Sequence, residues 1–281
     1  MIFKTGAGTV SVFFISIFAI MHIQQIYTGC LSEAAYFIES NGIAAVIDPL
    51  RDTDAYIKLA KEKNAVIKYI FETHFHADFV SGHLDLSKQT GAAIVYGPGT
   101  ETNFPVHVAK DDEVFHVGAI TLQAIHTPGH TIESTCYLLK DEDQKPHCIF
   151  TGDTLFVGDV GRPDLSSGDM TPEELASVMY DSIQSKIMPL QDDIIVYPAH
   201  GPGSSCGKNI AVLCCRAARR DADRGRALHI DHTRGSGCIM VRTALRSFSM
   251  ESMAAAPASA TLQPSACDLC ECNCGVEMPS Q

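Results

Sequence analysis

From Met21 onward, apolar residues recur at every second position or in short continuous runs, and both patterns are typical of strands. Strands are predicted at residues 22–28, 34–39, 43–48, 66–72, 93–96, 113–117, 120–126, 134–139, 147–152 and 194–197. The Asn41-Gly42 pair between the second and third of these strands is a hairpin turn signal. The chain is therefore rich in strands at first and mixed with helices afterwards.

Apolar residues at helical spacing predict three helices among these strands. The first covers residues 53–63, and the second covers 80–90 and ends at Gly91. The third begins at Thr171-Pro172-Glu173-Glu174, a capping box with proline at the first helical position. One face of this helix carries Leu175, Val178, Met179, Ile183 and Ile187. Strands and helices in this order predict a mixed α/β (α+β) fold.

The first twenty residues depart from this pattern. They contain an apolar run from Val10 to Ile20 that is too short for a comfortable membrane span, and no small-residue cleavage site follows it. We interpret residues 1–20 as an apolar extension, which is either signal-like or upstream of a natural start at Met21. The predicted folded domain then covers residues 21–209.

The composition changes abruptly after that domain. Eight arginines are crowded between Arg216 and Arg246, and residues 267–274 (CDLCECNC) form a cysteine-rich run. Neither strand nor helix periodicity is sustained there, so residues 210–281 are interpreted as a disordered tail. The cysteine run could bind zinc or copper. A frameshifted or otherwise unselected C-terminus would explain the same sequence.

The charge and the cysteines narrow the class of protein. The net charge is −12, and no basic stripe occurs in the first two hundred residues, which argues against a nucleic-acid partner. An anionic small molecule is still a possible substrate, because a metal ion and one arginine can make the local field positive despite the negative net charge. The eleven cysteines are an odd number, and those before residue 210 are scattered singly, which favours reduced thiols. We expect a cytoplasmic protein, with export or membrane association through residues 1–20 as the alternative.

Candidate metal ligands follow the predicted strands at the points where the strands end. His74, His76 and Asp78 occupy alternate positions directly after the strand at 66–72. The same arrangement recurs later in the chain, at His130 (TPGHT), Asp153 (TGDT) and His200 (PAHG). Loops at strand ends can direct their side chains into one cleft. We therefore predict one metal centre assembled from across a sheet.

The residue types allow two kinds of metal chemistry. His74, His130 and Asp153 are a sufficient ligand set, and two imidazoles with one carboxylate on one face suit Fe(II) and O2 chemistry. A zinc hydrolase could use the same residues, with His76 as a third imidazole and water in the open position. Hydrogen bonding to the ligands, rather than metal binding, is the alternative role for His76, Asp78 and His200.

Phe79 bears on the number of ions. A second ion would need ligands on the far side of Asp153, and the suppliers would be Asp78, His200 and the residue at position 79. Phenylalanine has no donor atom, so a dinuclear site would lack one ligand. This favours a mononuclear centre over a two-metal hydrolase.

These motifs resemble those of the metallo-β-lactamase superfamily. Residues 73–83 (THFHADFVSGH) are similar to its metal loop, whose usual form has a histidine at the position of Phe79. The later superfamily motifs are matched in order and context by His130, Asp153 and His200. Residues 158–165 (GDVGRPDL) and 197–208 (YPAHGPGSSCGK) resemble the persulfide dioxygenases, in particular the bacterial branch often fused to rhodanese domains. The likeness covers about residues 21–209.

The resemblance implies a four-layer αββα sandwich. It also implies one Fe(II) per chain, held by His74, His130 and Asp153, with zinc as the alternative metal. His76 and Asp78 would orient these ligands. Persulfide dioxygenases oxidise a low-molecular-weight thiol persulfide with O2, giving sulfite and the free thiol. Holding both reactants at one ion overcomes the cost of bringing them together.

Three further residues are predicted to act on the substrate. Arg162 matches an arginine that contacts the substrate in relatives, and its guanidinium could clamp a carboxylate or phosphate of the thiol carrier. Bracing a loop is its alternative role. Cys206 matches a cysteine near the iron in the fusion branch, where it could carry a persulfide or form a mixed disulfide. An inert core thiol is the alternative for it. Tyr197 is a candidate substrate-binding residue.

Three functional hypotheses follow. The first is a mononuclear Fe(II) persulfide dioxygenase, and the second is a zinc thioester hydrolase of the glyoxalase II (hydroxyacylglutathione hydrolase) type. The third is a truncated or frameshifted product without catalysis, because residues 210–281 match neither the helical segment nor the rhodanese modules of relatives. A rhodanese-type sulfurtransferase would then act in trans, and we expect a homo-oligomer. The sequence does not distinguish glutathione, coenzyme A and bacillithiol as the thiol that carries the persulfide sulfur.

Overall fold

The computed structural model describes residues 21–156, 159–164 and 170–201, together with the backbone of strand residues 3–4 and 10–11. The predicted tail at 210–281, most of the predicted extension at 1–20, and Cys206 lie outside the described residues. No helix in the described part is long and apolar enough to cross a membrane.

Short strands and three helices alternate along the described chain. The strands are β1 Phe3–Lys4, β2 Val10–Ser11, β3 Met21–Thr28, β4 Glu33–Ser40, β5 Ile43–Ile47, β6 Val66–Phe71, β7 Ala93–Tyr96, β8 His107–Val108, β9 Val114–Val117, β10 Ile120–His126, β11 Thr135–Lys140, β12 Pro146–Gly152, β13 Leu155–Phe156, β14 Asp159–Val160 and β15 Ile195–Pro198. The helices are α1 Asp54–Glu62, α2 His83–Thr90 and α3 Pro172–Ser182, which continues into a π-helical turn at Ile183–Ile187. The predicted order is present, and the sequence does not predict the short strands β1, β2, β8, β13 and β14.

Two large sheets contain most of these strands. One has the order β3-β4-β5-β6-β7-β8, antiparallel as far as β5 and parallel beyond it. The other has the order β15-β12-β11-β10-β9, in which β12 and β15 are the parallel pair. Asn41 and Gly42 both adopt positive φ angles in the predicted turn between β4 and β5. Such a turn matches the twist of the two strands that it joins.

The core lies between the two sheets and is continued on their outer faces. Aromatic side chains from both sheets meet in the middle layer, among them Tyr36, Phe71, Phe115, Tyr137 and Phe150. Helices α1 and α2 cover the outer face of the first sheet through Tyr56, Ala60 and Leu86. The π-helical turn covers the second sheet through Ile187. The predicted αββα sandwich is therefore confirmed.

Helix α2 begins three residues later than the predicted start at residue 80. The preceding segment is instead tied to the end of β5. The Gly82 N–H donates to the Pro49 carbonyl at 2.7 Å, and Ser81 forms an isolated β-bridge with Leu50. These long-range contacts hold residues 73–83, here called the metal loop, against the first sheet.

Candidate metal centre

The structure brings three of the predicted ligands to one point. His74 follows β6, His130 follows β10 and Asp153 follows β12, and all three side chains are buried. Asp153 Oδ2 lies 3.9 Å from His74 Nε2 and 3.5 Å from His130 Nε2. Two atoms that are each about 2.1 Å from one ion are at most about 4.2 Å apart. Both distances allow a single metal ion between Asp153 and an imidazole, and the three residues, here called the triad, form one group of possible ligands.

Hydrogen bonds through the other ring nitrogen orient both histidines. The Nδ1 atom of His74 lies 3.0 Å from Thr73 Oγ1, and that hydroxyl donates to Asp48 Oδ2 at 2.8 Å. The Nδ1 atom of His130 lies 2.8 Å from the Arg162 carbonyl. A hydrogen bond at Nδ1 fixes the tautomer that leaves the Nε2 lone pair free for a metal.

Asp153 supplies the test of whether a metal fits. Neither of its carboxylate oxygens has a hydrogen-bond partner among the described residues, although the side chain is fully buried. A buried carboxylate without compensation is strongly destabilising. A divalent cation between Asp153 and the two imidazoles would remove that cost. The donor set therefore fits a metal ion of the kind that imidazole and carboxylate prefer.

The electrostatics of His74 agree with this use. Burial, reinforced by the neighbouring imidazoles of His76, His130 and His200, lowers the pKa of His74 well below its usual range. The imidazole is therefore neutral at physiological pH. Neutral imidazole is the form that binds metals.

Position 130 depends on helix α3 behind it. Gly129 has a φ of +148°, and an added Cβ there would overlap the Met179 side chain on α3. The Ser182 hydroxyl donates to the Pro128 carbonyl at 2.9 Å. The helix is fixed at its start by the predicted capping box, in which Glu174 N–H donates to Thr171 Oγ1 at 3.2 Å.

The other oxygen of Asp153 faces a second group of residues. His200 Nε2 lies 3.4 Å from Asp153 Oδ1 and 3.3 Å from Asp78 Oδ2. On its far side, His200 Nδ1 lies 3.1 Å from Glu33 Oε2 and 3.3 Å from the Ser32 carbonyl. Asp78 and His200, two of the residues predicted as alternative ligands, thus lie next to the triad, and together with Asp153 Oδ1 they offer a second ion three donors.

Glu33 was not predicted as part of the site. Burial, opposed by His76 and reinforced by the other carboxylates, raises the pKa of Glu33 to about 10. Its side chain is protonated at neutral pH in the metal-free protein. No sequence pattern indicates its role, because a glutamate at the start of a strand normally faces solvent.

His76 belongs to a third group. Its Nε2 lies 3.1 Å from Asp48 Oδ1 and 3.2 Å from Glu72 Oε2, and the ring of Phe79 packs 4.3 Å from its own ring. Burial by itself would lower the pKa of His76, but the carboxylates of Asp48 and Glu72 raise it well above its usual range. Asp48 and Glu72 are further site residues that the sequence reasoning missed.

The remaining predicted site residues have other surroundings. The Arg162 guanidinium donates two hydrogen bonds of 2.9 Å to Asp164, and the Arg162 backbone carbonyl is the part that touches the triad. The Tyr197 ring stacks on Phe150 at 5.3 Å within the core. The substrate roles of Arg162 and Tyr197 therefore stay predictions, and the substrate clamp would have to share Arg162 with Asp164. Cys206 lies outside the described residues.

Comparison with known proteins places this geometry in a family. The model of the metallo-beta-lactamase superfamily matches residues 28–200. A probable hydroxyacylglutathione hydrolase of Schizosaccharomyces pombe is 33% identical over 187 residues, which cover 64% of this chain and 68% of that protein.

Two solved structures add to the comparison. The metallo-beta-lactamase from Staphylococcus aureus is 38% identical, with a TM-score of 0.62, covering 69% of this chain and 61% of that one. The structure of ETHE1 from Myxococcus xanthus is 30% identical, with a TM-score of 0.57, covering 68% of this chain and 81% of that one. The fold of this chain therefore has counterparts among solved proteins.

Proposed function

Because the chain belongs to the metallo-β-lactamase superfamily, whose members are metal-dependent enzymes, we propose that it is a persulfide dioxygenase with one iron ion per chain. It would oxidise a low-molecular-weight thiol persulfide. One persulfide, one O2 and one water would give one free thiol, one sulfite and two protons. The observation that carries the proposal is the triad: two imidazoles and one carboxylate, with a phenyl group at the position where a second ion needs a donor.

Iron in the triad would supply the redox chemistry that joins sulfur to O2. The chain's own residues prepare the site for it. The hydrogen bonds of His74 to Thr73 and of His130 to the Arg162 carbonyl keep both Nε2 atoms directed at Asp153. Burial of the triad keeps bulk water away from the reacting sulfur. The structure of ETHE1 from Myxococcus xanthus also supports this proposal, because it shares the fold and 30% of the aligned residues with this chain.

Thioester hydrolysis is the second candidate, and the sequence comparisons favour it over the first. Relatives of 30–33% identity are named as hydroxyacylglutathione hydrolases. His200, Asp78 and Asp153 Oδ1 also provide three donors for a second ion. A dinuclear zinc centre would activate water for attack on the thioester. The two candidates share a thiol carrier and differ in the metal, in its number and in the need for O2.

One experiment separates the candidates. The full chain is purified without added metal, its iron and zinc are quantified, and two reactions are assayed with the same preparation. Oxygen uptake is followed with the persulfides of glutathione, coenzyme A and bacillithiol, and thioester cleavage is followed with a glutathione thioester. Iron with O2 uptake supports the dioxygenase. Zinc with thioester cleavage and no O2 uptake refutes it, and an aggregating protein without metal supports the third, non-catalytic hypothesis.

A further inference from the structure

Glu72 lies directly before the metal loop and is fully buried. Three side chains of that loop meet its carboxylate. His76 Nε2 lies 3.2 Å from Oε2, His83 Nδ1 lies 3.1 Å from Oε1, and the Ser81 hydroxyl donates to Oε1. The Glu72 carbonyl in turn accepts a hydrogen bond of 3.0 Å from the Tyr137 hydroxyl. A carboxylate fixed in this way determines where the side chains of the loop lie.

His76 is the loop residue whose position bears most on the metal. In a zinc hydrolase it would be the third imidazole ligand. Here its Nε2 is shared between Glu72 and Asp48, at 3.2 and 3.1 Å, and the Phe79 ring packs against it. Asp48, Glu72 and His76 form a group of possible ligands distinct from the triad, although the His76 ring lies 4.2 Å from the ring of His74. Neither ring nitrogen of His76 makes a well-formed hydrogen bond with the described residues, so the charges of the two carboxylates hold the ring.

We propose that Glu72 is a positioning residue which, together with Asp48, holds His76 away from an ion bound by the triad. The protein then offers that ion three ligands instead of four, and open positions stay available for sulfur and O2. The inference rests on the proposed function in one respect, since it takes a single bound ion as the resting state. It goes further in naming the residue that limits the ligand number.

The position of His76 should respond to a small change at Glu72. The substitution Glu72→Gln keeps the size of the side chain and replaces a charged acceptor with a neutral amide. His76 Nε2 and Glu72 Oε2 form an ion pair at 3.2 Å, and its attraction depends on the charge of the carboxylate. With a neutral amide at position 72, the imidazole keeps only its ion pair with Asp48. Its unpaired Nδ1 has no other hydrogen bond to give up when the ring turns towards the ion.

Cobalt(II) bound in place of iron tests this directly, because its visible absorption is weak in a six-coordinate site and stronger when a fourth protein ligand makes the site tetrahedral. Wild type should show the weak bands of an ion with many open positions. Glu72→Gln should show stronger bands, and its ratio of zinc to iron affinity should rise roughly tenfold. His76→Ala should leave the wild-type spectrum unchanged. Combined with Glu72→Gln, it should restore that spectrum.

Ser81→Ala is the matched control, because it removes a neighbour of the same carboxylate from Oε1 while the contact at Oε2 stays. It should keep the wild-type cobalt spectrum. A Glu72→Gln spectrum equal to wild type would overturn the inference, and so would a wild-type spectrum that changes with His76→Ala. The His76→Ala result also decides the matter if Glu72→Gln does not fold. Two cobalt ions per wild-type chain would count against the proposed dioxygenase, and the inference would then be judged by His76→Ala alone.

Discussion

The two carboxylate oxygens of Asp153 face unlike halves of the centre. Oδ2 faces two imidazoles, and each of these is oriented by a hydrogen bond at Nδ1. Oδ1 faces one imidazole, that of His200, whose Nδ1 meets a buried glutamate. The first half is complete for one ion. The second half has donors but lacks the one that the usual form of the metal loop supplies at position 79.

The difference shows how one fold can offer either one or two metal sites. In both halves the ligands lie on loops at the ends of strands, so the backbone supplies the same kind of position. What differs is the side chain at a single position and the protonation of the groups behind it. Ligand type and number select the metal more than raw affinity does. The number of ions in this protein is therefore decided by a few side chains that leave the sandwich unchanged.

The largest effect is expected from breaking the complete half. His74→Ala removes one of two imidazoles, and a carboxylate with one imidazole holds iron poorly. Iron content should fall from about one ion per chain to near zero, and O2 uptake with glutathione persulfide should be lost with it. Metal analysis and an oxygen electrode measure both quantities. His107→Ala, at an exposed histidine paired with Glu113, is the control and should change neither. Retention of iron in His74→Ala would remove the site assignment.

Filling the incomplete half is the second test. Phe79→His adds an imidazole at the position where the family's usual metal loop has one. The Phe79 ring packs on His76, so the new imidazole would have to turn towards the donors of Asp78, His200 and Asp153. Bound metal should rise from about one to about two ions per chain, since four donors complete a tetrahedral zinc site. Phe75→His places an imidazole in the same loop at a half-exposed position against Tyr96, and it should leave the metal count unchanged. If both variants bind the same amount as wild type, Phe79 does not limit the metal number.

Much of the complete half could be predicted from the sequence. His74 and Asp153 each follow an apolar strand, so local periodicity places them at the same edge of the sandwich. The start of α2 could not be predicted, because residues before it are held by Pro49 and Leu50, which are about thirty positions away in the chain.

The buried carboxylates show the limit of such reasoning most clearly. The sequence of β4 predicts a half-buried strand with polar ends, yet Glu33 at its start is fully buried. Its partner is His200, which only the closed sandwich brings beside it. Likewise, Glu72 directly follows β6, and the sequence spacing does not show that three loop side chains surround it. Tertiary contacts of this kind cannot be recognised from the periodicity of the sequence.

The smallest expected effect concerns Glu33, which lies behind the incomplete half. It sharpens the comparison of the two halves through the pH dependence of stability. In the metal-free protein its pKa is raised to about 10, above the value of 4.5 that an unperturbed glutamate has. Between these two values the folded chain holds a proton that the unfolded chain releases, so stability falls as pH rises through this window. Glu33→Gln needs no proton. It should therefore gain stability over wild type between pH 5 and pH 8, by at most about 4 kcal/mol.

Urea unfolding of both proteins at pH 5 and at pH 8, with metal removed by a chelator, measures this difference. Glu62→Gln is the control, because Glu62 lies exposed on α1 beside Lys58 and such pairs contribute little. Its stability relative to wild type should not change between the two pH values. If the free energy of unfolding changes between the two pH values by the same amount in Glu33→Gln and in wild type, then Glu33 is ionised in the folded protein. The incomplete half would then carry one more negative charge, and that charge would favour a second cation beside His200.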